Sequence, residues 1–181
     1  MGQDIHIRIV KYNSDKNFYE ELALYKPGEE YHYNEKGEKV VDNPYFQKVY
    51  IDAGRNYEMF EGMKNANEEG GYGHFPCTNI KLNALDPKIK EDIEEKMNTS
   101  GCFDFYELTF ADMQLYLNEH PTVINYDDNN FNWDGDGERP RKINPIKPLF
   151  HEIVNYARLA DGWNWDFEPF GYYKIIFYFD C

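Results

Sequence analysis

Residues 173–179 read Tyr-Lys-Ile-Ile-Phe-Tyr-Phe, and residues 4–12 read Asp-Ile-His-Ile-Arg-Ile-Val-Lys-Tyr. The first run, from Tyr173 to Phe179, is apolar almost throughout, the pattern of a strand covered on both faces and therefore central in its sheet. The second alternates: Ile5, Ile7 and Ile9 point one way, Asp4, His6 and Arg8 the other, as in a strand with one buried face. These two strands are expected to lie side by side in one antiparallel sheet. Helical patterns fill much of the sequence between them, so the expected class is α+β. With no repeat or linker in sight, residues 1–181 are read as a single domain with about four helices packed on the sheet.

Working outward, Asn13–Asn17 is a turn cluster, and Phe18–Tyr25 reads as a second strand, ended by Pro27-Gly28 and forming a hairpin with the first. Tyr31-His32-Tyr33 and Lys39-Val40-Val41 flank Asn34-Glu35-Lys36-Gly37, which predicts a second hairpin, charged enough to be an edge or a projecting flap. Tyr57, Phe60 and Met63 have helical spacing within 54–64, ahead of a Gly- and Glu-rich loop over 65–73. Asp86-Pro87 opens a helix carrying Ile89, Ile93 and Met97. Thr109 to Asp112 outlines a capping box for a helix that runs to Glu119 and stops at Pro121. Residues 146–160 form the strongest amphipathic pattern, with Leu149, Phe150, Ile153, Val154 and Ala157 on one face and Gly162 closing it.

The chain has 181 residues, 19 Lys and Arg against 33 Asp and Glu, and a net charge of −14. That balance excludes a nonspecific nucleic-acid binder, which needs clustered cations to neutralise phosphates. An aromatic content of 18% argues against disorder. No apolar run approaches the roughly 18 residues of a membrane span, and no signal peptide opens the chain. Cys77, Cys102 and Cys181 are too scattered for a zinc knuckle or a disulfide framework, which fits reduced thiols in a cytoplasm.

Asp4 and His6 leave the same face of one strand, and Asp180 ends its expected neighbour. Two carboxylates and an imidazole suit Mg²⁺, Mn²⁺ or Fe²⁺ with open positions, and an ion so held can activate water against a phosphoester. His6 is also a candidate acid or base with a carboxylate to orient it. Arg55, Asn56 and Tyr57 follow a glycine at a helix start, where backbone N–H groups and a guanidinium make a seat for phosphate. His74, on a Gly-rich loop, is the second candidate acid or ligand. His151 reads as structural. Asn130 to Gly135 imitates the start of a calcium loop, but Arg141 stands at its twelfth position where Glu is required. The aromatic clusters Phe103–Tyr106 and Trp163–Trp165 read as core and helix-packing residues.

Met1-Gly2-Gln3-Asp4-Ile5-His6 resembles the Met-Gly-x-Asp-Ile-His opening of a family of small phage and bacterial hypothetical proteins. Lys174 to Cys181 is similar to that family's terminal Arg-x-Val-Phe-Trp-Phe-Asp-Asn strand, and Arg55 to Phe60 to its Arg-x-Tyr-x-x-Phe segment. These three islands cover about a fifth of the chain and coincide with Asp4, His6, Arg55, Tyr57 and Asp180. Members of that family carry a His-Ser-x-Ser-Trp-Leu stretch where this chain reads Cys102 to Leu108 without the histidine; if that histidine is functional there, this chain either lacks the activity or uses Asp104 or Glu107 instead. The resemblance implies a phage or prophage origin and a bacterial host cytoplasm as location. Two functions of different class are expected from it together with the residues. One is a nucleotide- or phosphoester-directed site that hydrolyses, with metal assistance, or sequesters a host defence nucleotide. The other is an acidic, non-catalytic counter-defence protein that imitates nucleic acid or binds a host defence protein.

Overall fold

The middle of the main sheet is its most apolar strand, as the unbroken Ile-Ile-Phe-Tyr-Phe run requires. A computed structural model describes residues 4–54, 59, 63, 75–99, 101–124, 140–162 and 170–180. Its strands are β1 (Asp4–Asn13), β2 (Phe18–Glu21), β3 (Tyr25–Tyr33), β4 (Lys39–Lys48), β5 (Thr78–Asn79), β6 (Cys102–Thr109), β7 (Thr122–Ile124), β8 (Arg141–Ile143) and β9 (Tyr173–Asp180). The helices are α1 (Pro87–Asn98), α2 (Phe110–Glu119) and α3 (Ile146–Ala160). The main sheet runs β2-β1-β9-β6-β5, and every pairing in it is antiparallel. The expected pairing of first and last strands is present, in a register that sets Asp4 opposite Asp180 and His6 opposite Tyr178.

The period of two sorts these strands into two faces. Ile5, Ile7 and Ile9 join Tyr173, Ile175, Phe177 and Phe179 in a large core covered by α2 and α3. Val10 and Ile176 face the other way and meet Ile89 and Ile93 of α1 in a second, smaller cluster. The sheet is therefore the middle layer, with helix on both sides. Local chemistry places each helix. Asp86 accepts the Lys88 N–H at 2.9 Å ahead of Pro87. Thr109 Oγ accepts the Asp112 N–H at 3.0 Å and donates to Asp112 Oδ2 at 2.7 Å. Gly162, at φ +69°, follows the end of α3, the left-handed conformation that a glycine adopts freely.

Four expectations change. Three α-helices stand among the described residues rather than about four; the expected helix over 54–64 lies largely outside them, with Met59 and Met63 described there as helical and buried. The strand expected over 18–25 ends at Glu21, and Tyr25 opens β3 instead. Pro27-Gly28 terminates nothing: both lie inside β3, opposite Phe46 and Tyr45 of β4. In a two-stranded ribbon each strand has a free edge, where a missing N–H breaks no ladder. Phe103–Tyr106, read as core and helix-packing residues, lie on β6, which completes β9 on its second side; Phe103, Phe105 and Tyr106 do pack against the core clusters, but from a strand.

The second hairpin, β3–β4, forms a two-stranded sheet of its own. Its root is tied to α3 by one side chain. The buried Tyr156 hydroxyl accepts the Leu24 N–H at 2.8 Å and donates to the Val49 carbonyl at 2.9 Å.

Candidate functional site

The joined ends of β1 and β9 bring His6 and Asp180 together across adjacent strands. His6 Nε2 lies 2.6 Å from Asp180 Oδ2, with the two side chains 42% and 34% exposed. An ionised carboxylate only accepts, so Nε2 donates to it, and in the neutral imidazole the lone pair is then on Nδ1. Beneath this contact the His6 ring stacks on Tyr178 at 4.9 Å, and Tyr178 stacks on Phe105 at 4.8 Å. Three parallel rings across β1, β9 and β6 fix the plane of the imidazole. Burial pushes the Tyr178 hydroxyl above its ordinary value, so it stays protonated. Asp4 is opposite Asp180 in the ladder.

This geometry divides the expected trio. Asp180 Oδ2 is engaged with His6, so a cation drawn to this point would meet Nδ1 and have Asp180 as the outer group that orients the imidazole. Among the described residues, no three His, Cys, Asp or Glu side chains are grouped to hold a metal ion. The alternative role, a histidine base with a carboxylate behind it, needs only the pair that is in contact.

Arg55, Asn56, Tyr57 and His74 lie outside the described residues, as does the calcium-like stretch Asn130–Gly135. Arg8, on the same face as His6, is paired with Asp92 of α1. Glu107 and Asp104, the two expected stand-ins for the histidine of the resembled family, both lie on β6. Glu107 is 3% exposed, accepts from Lys174 Nζ at 2.8 Å and from the Lys81 N–H at 3.0 Å, and so belongs to the fold. Asp104 sits at the β6 irregularity with φ +53°. His151 is exposed on α3 and His32 pairs with Asp42 at 2.7 Å.

Cys102 is opposite Asp180 on the far side from β1, so the register row is Cys102–Asp180–Asp4, with His6 one pair further on opposite Tyr178 and the carboxylate, not the imidazole, next to the cysteine. A thiol nucleophile needs the histidine in that middle place, so this row is not a cysteine triad. Cys77 is no better a nucleophile, since burial pushes its thiol up to about 11. A polar depression of about 390 Å³ lies at the opposite end of β1, lined by Lys11, Asn13, Glu20 and Asp161. Lys11 and Asp161 are already paired there at 2.9 Å, with the Tyr173 hydroxyl donating to the same carboxylate at 2.5 Å.

The aromatic stack under His6 had a signal in the sequence, because Tyr178 and Phe105 are both aromatic at strand positions, but pairing of β6 with β9 was needed to read it. Comparison with protein-family models, with curated proteins and with solved structures returns no match to this chain. No helix among the described residues is long and apolar enough to cross a membrane.

Proposed function

We propose that this chain carries a nucleotide- or phosphoester-directed site at the joined ends of β1 and β9, with His6 as its proton-accepting group. The observation that carries the reading is the 2.6 Å contact from His6 Nε2 to Asp180 Oδ2 with the imidazole half open to solvent. Asp180 accepts from Nε2 and so selects the neutral tautomer whose lone pair is on Nδ1. When water or a ligand hydroxyl approaches, its O–H bond breaks, the proton passes to Nδ1, and the adjacent carboxylate stabilises the imidazolium. The oxygen so activated attacks phosphorus, the P–O bond to the leaving oxygen breaks, and the imidazolium returns its proton to that oxygen. In a protein of net charge −14 an anionic ligand needs local positive charge. Arg55 of the expected phosphate seat is one source of it; a divalent Mg, Mn or Fe ion at Nδ1 would be another, with His6 then its ligand and not the proton acceptor. If the ligand is retained unchanged, the same groups make a sequestering site. The phage origin and the bacterial host cytoplasm belong to this reading through the family resemblance.

The test is a panel of cyclic and linear nucleotides incubated with the full chain, with and without Mn²⁺, and followed by mass spectrometry for turnover and by equilibrium dialysis for retention. His6→Gln should lower turnover by about 10²–10⁴-fold, the range for loss of a general base. Asp180→Asn should lower it less, by about 10–100-fold, the loss expected of an orienting partner. Full activity in His6→Gln, or no turnover and no retention of any panel member by the wild type, would sink the reading.

A second reading is favoured by one observation: Glu91, Glu94 and Glu95 are exposed on α1, which packs on the His6 face of the sheet. An acidic, non-catalytic protein that imitates nucleic acid would present such a face to a host defence protein. Reversing these three charges to Lys abolishes inhibition by a mimic and leaves nucleotide turnover intact.

A further inference from the structure

The β3–β4 hairpin exposes more aromatic surface than its charge-rich sequence implies. Residues 25, 27, 29, 31 and 33 alternate onto one face of β3, and their register partners on β4 bring Phe46, Val41, Lys39 and Lys48 to the same face. On that face Tyr25 is 56% exposed, Tyr31 51%, Tyr33 65% and Phe46 74%. Tyr31 and Tyr33 meet edge to face at 5.7 Å. A monomer rarely leaves a contiguous patch of this kind to water without a use for it.

The charges on the face are closed among themselves. Lys39 pairs with Glu29 and covers the Tyr31 ring at 4.4 Å, while Lys48 pairs with Glu21. Between Tyr25 and Lys48 the chain carries four Lys against five Asp and Glu, close to neutral in a molecule of net charge −14. On the aromatic face itself the acidic side chain is Glu29, and Lys39 already covers it, so a basic partner steered by the acidic body finds little to hold there. The occupant that fits is apolar and tolerates a Lys–Glu border, and this same face on another copy meets both conditions. The area is sufficient. Four rings of about 200 Å² each, exposed as stated, present roughly 500 Å² per copy, so face-to-face docking covers about 1,000 Å², the lower bound for a specific interface. The hairpin's outer edges also have no strand beside them among the described residues, so nothing there blocks a neighbour.

We propose that the aromatic face of the β3–β4 hairpin is a self-association surface, on which a second copy of this chain docks through the same residues about a two-fold axis. An isologous contact of this kind closes at two copies. It is independent of the His6–Asp180 reading, since no hairpin residue touches that pair in the register above.

Sedimentation velocity of the full chain over about 1–200 µM, a range that brackets micromolar affinity, should show mass rising from 21.6 kDa towards twice that value. Because the bodies repel and the faces are neutral, raising salt from about 50 to about 500 mM should strengthen association. Tyr33→Glu with Phe46→Glu should remain monomeric throughout. Val40→Ser, on the opposite face, should associate like the wild type. Melting curves of both variants should match the wild type, because none of the changed residues is buried in either core cluster. A wild type that stays monomeric overturns the proposal, as does a dimer that persists in the double variant. So does loss of association in Val40→Ser alone, or weakening of the wild-type dimer by salt.

Discussion

Glu107 is the residue whose chemistry is most at odds with its place. It is buried at 3% exposure in the strand next to the central one, and its carboxylate is satisfied by Lys174 and the Lys81 amide. Lys174 in turn lies over the Tyr19 ring at 4.4 Å. Removing one member of such a pair leaves the other charged and desolvated, at a cost of about 3–5 kcal/mol, whereas replacing both with apolar groups of similar size is often neutral. Urea unfolding should therefore show Glu107→Ala strongly destabilised and Glu107→Leu with Lys174→Met recovering most of the loss. A double variant as unstable as the single would mean that the Lys81 amide, not the ion pair, is the larger debt of burial. His6 and Asp180 differ from this pair in being open to water, which is why one pair is read as structure and the other as chemistry. Asn144 belongs with Glu107: fully buried, it donates to the His120 carbonyl at 3.0 Å and accepts the Ile146 N–H at 3.1 Å, joining the end of α2 to the start of α3.

Among the elements, the β3–β4 hairpin depends most on a single anchor. Tyr156 gives Leu24 its acceptor and Val49 a donor, and burial keeps its hydroxyl protonated by raising it above the usual value. Tyr156→Phe should leave the Leu24 N–H without that partner and cost about 1–3 kcal/mol. Hydrogen exchange should show the loss as faster exchange at Leu24, with β9 amides little changed; unaltered Leu24 exchange would dissociate the hydrogen bond from the anchoring. The elements also show what could be read in advance. β1 and β9 announced themselves because period-two alternation and a continuous apolar run are the direct imprints of half-buried and fully buried strands. The capped helices did so because Asp86-Pro87 and Thr109–Asp112 are local signals that need no tertiary knowledge. β6 was hidden: its alternation is broken by the irregularity near Asp104, and a buried glutamate at 107 disguises a covered position as a solvated one. The full length of β3 was hidden by Pro27-Gly28, whose usual meaning as a stop fails where a strand has no second neighbour. For the site, His6 and Asp180 were legible from strand period and from the pairing of the first and last strands. Their direct contact was not, because it depends on side-chain reach across the ladder.

For the whole molecule, the dominant electrostatic fact is self-repulsion. A net charge of −14 opposes compaction, and dissolved salt screens it. The exposed ion pairs that salt would weaken, such as Lys16 of the β1–β2 turn with Glu20 of β2, contribute little each. The midpoint of thermal unfolding at neutral pH should therefore rise as NaCl increases from about 10 to about 300 mM, across which the Debye length falls from roughly 30 Å to below 8 Å. A falling midpoint would mean that paired charges outweigh the net excess. The sheet order adds a second whole-molecule property. Since β9 separates β1 from β6, the centre of the sheet is assembled from segments far apart in sequence, and such nonlocal pairing slows folding.

That order also sets a clock during synthesis. A ribosome adding about 5–20 residues per second needs roughly 10–30 s to travel the 174 positions from His6 to Asp180. Throughout that interval the nascent β1 has β2 on one edge and nothing to pair with on the other, while Ile5, Ile7 and Ile9 wait for the rest of their core. The hazard of aggregation for this protein is thus governed by the pace of translation and by whatever shields a growing chain, before its own folding rate comes into play.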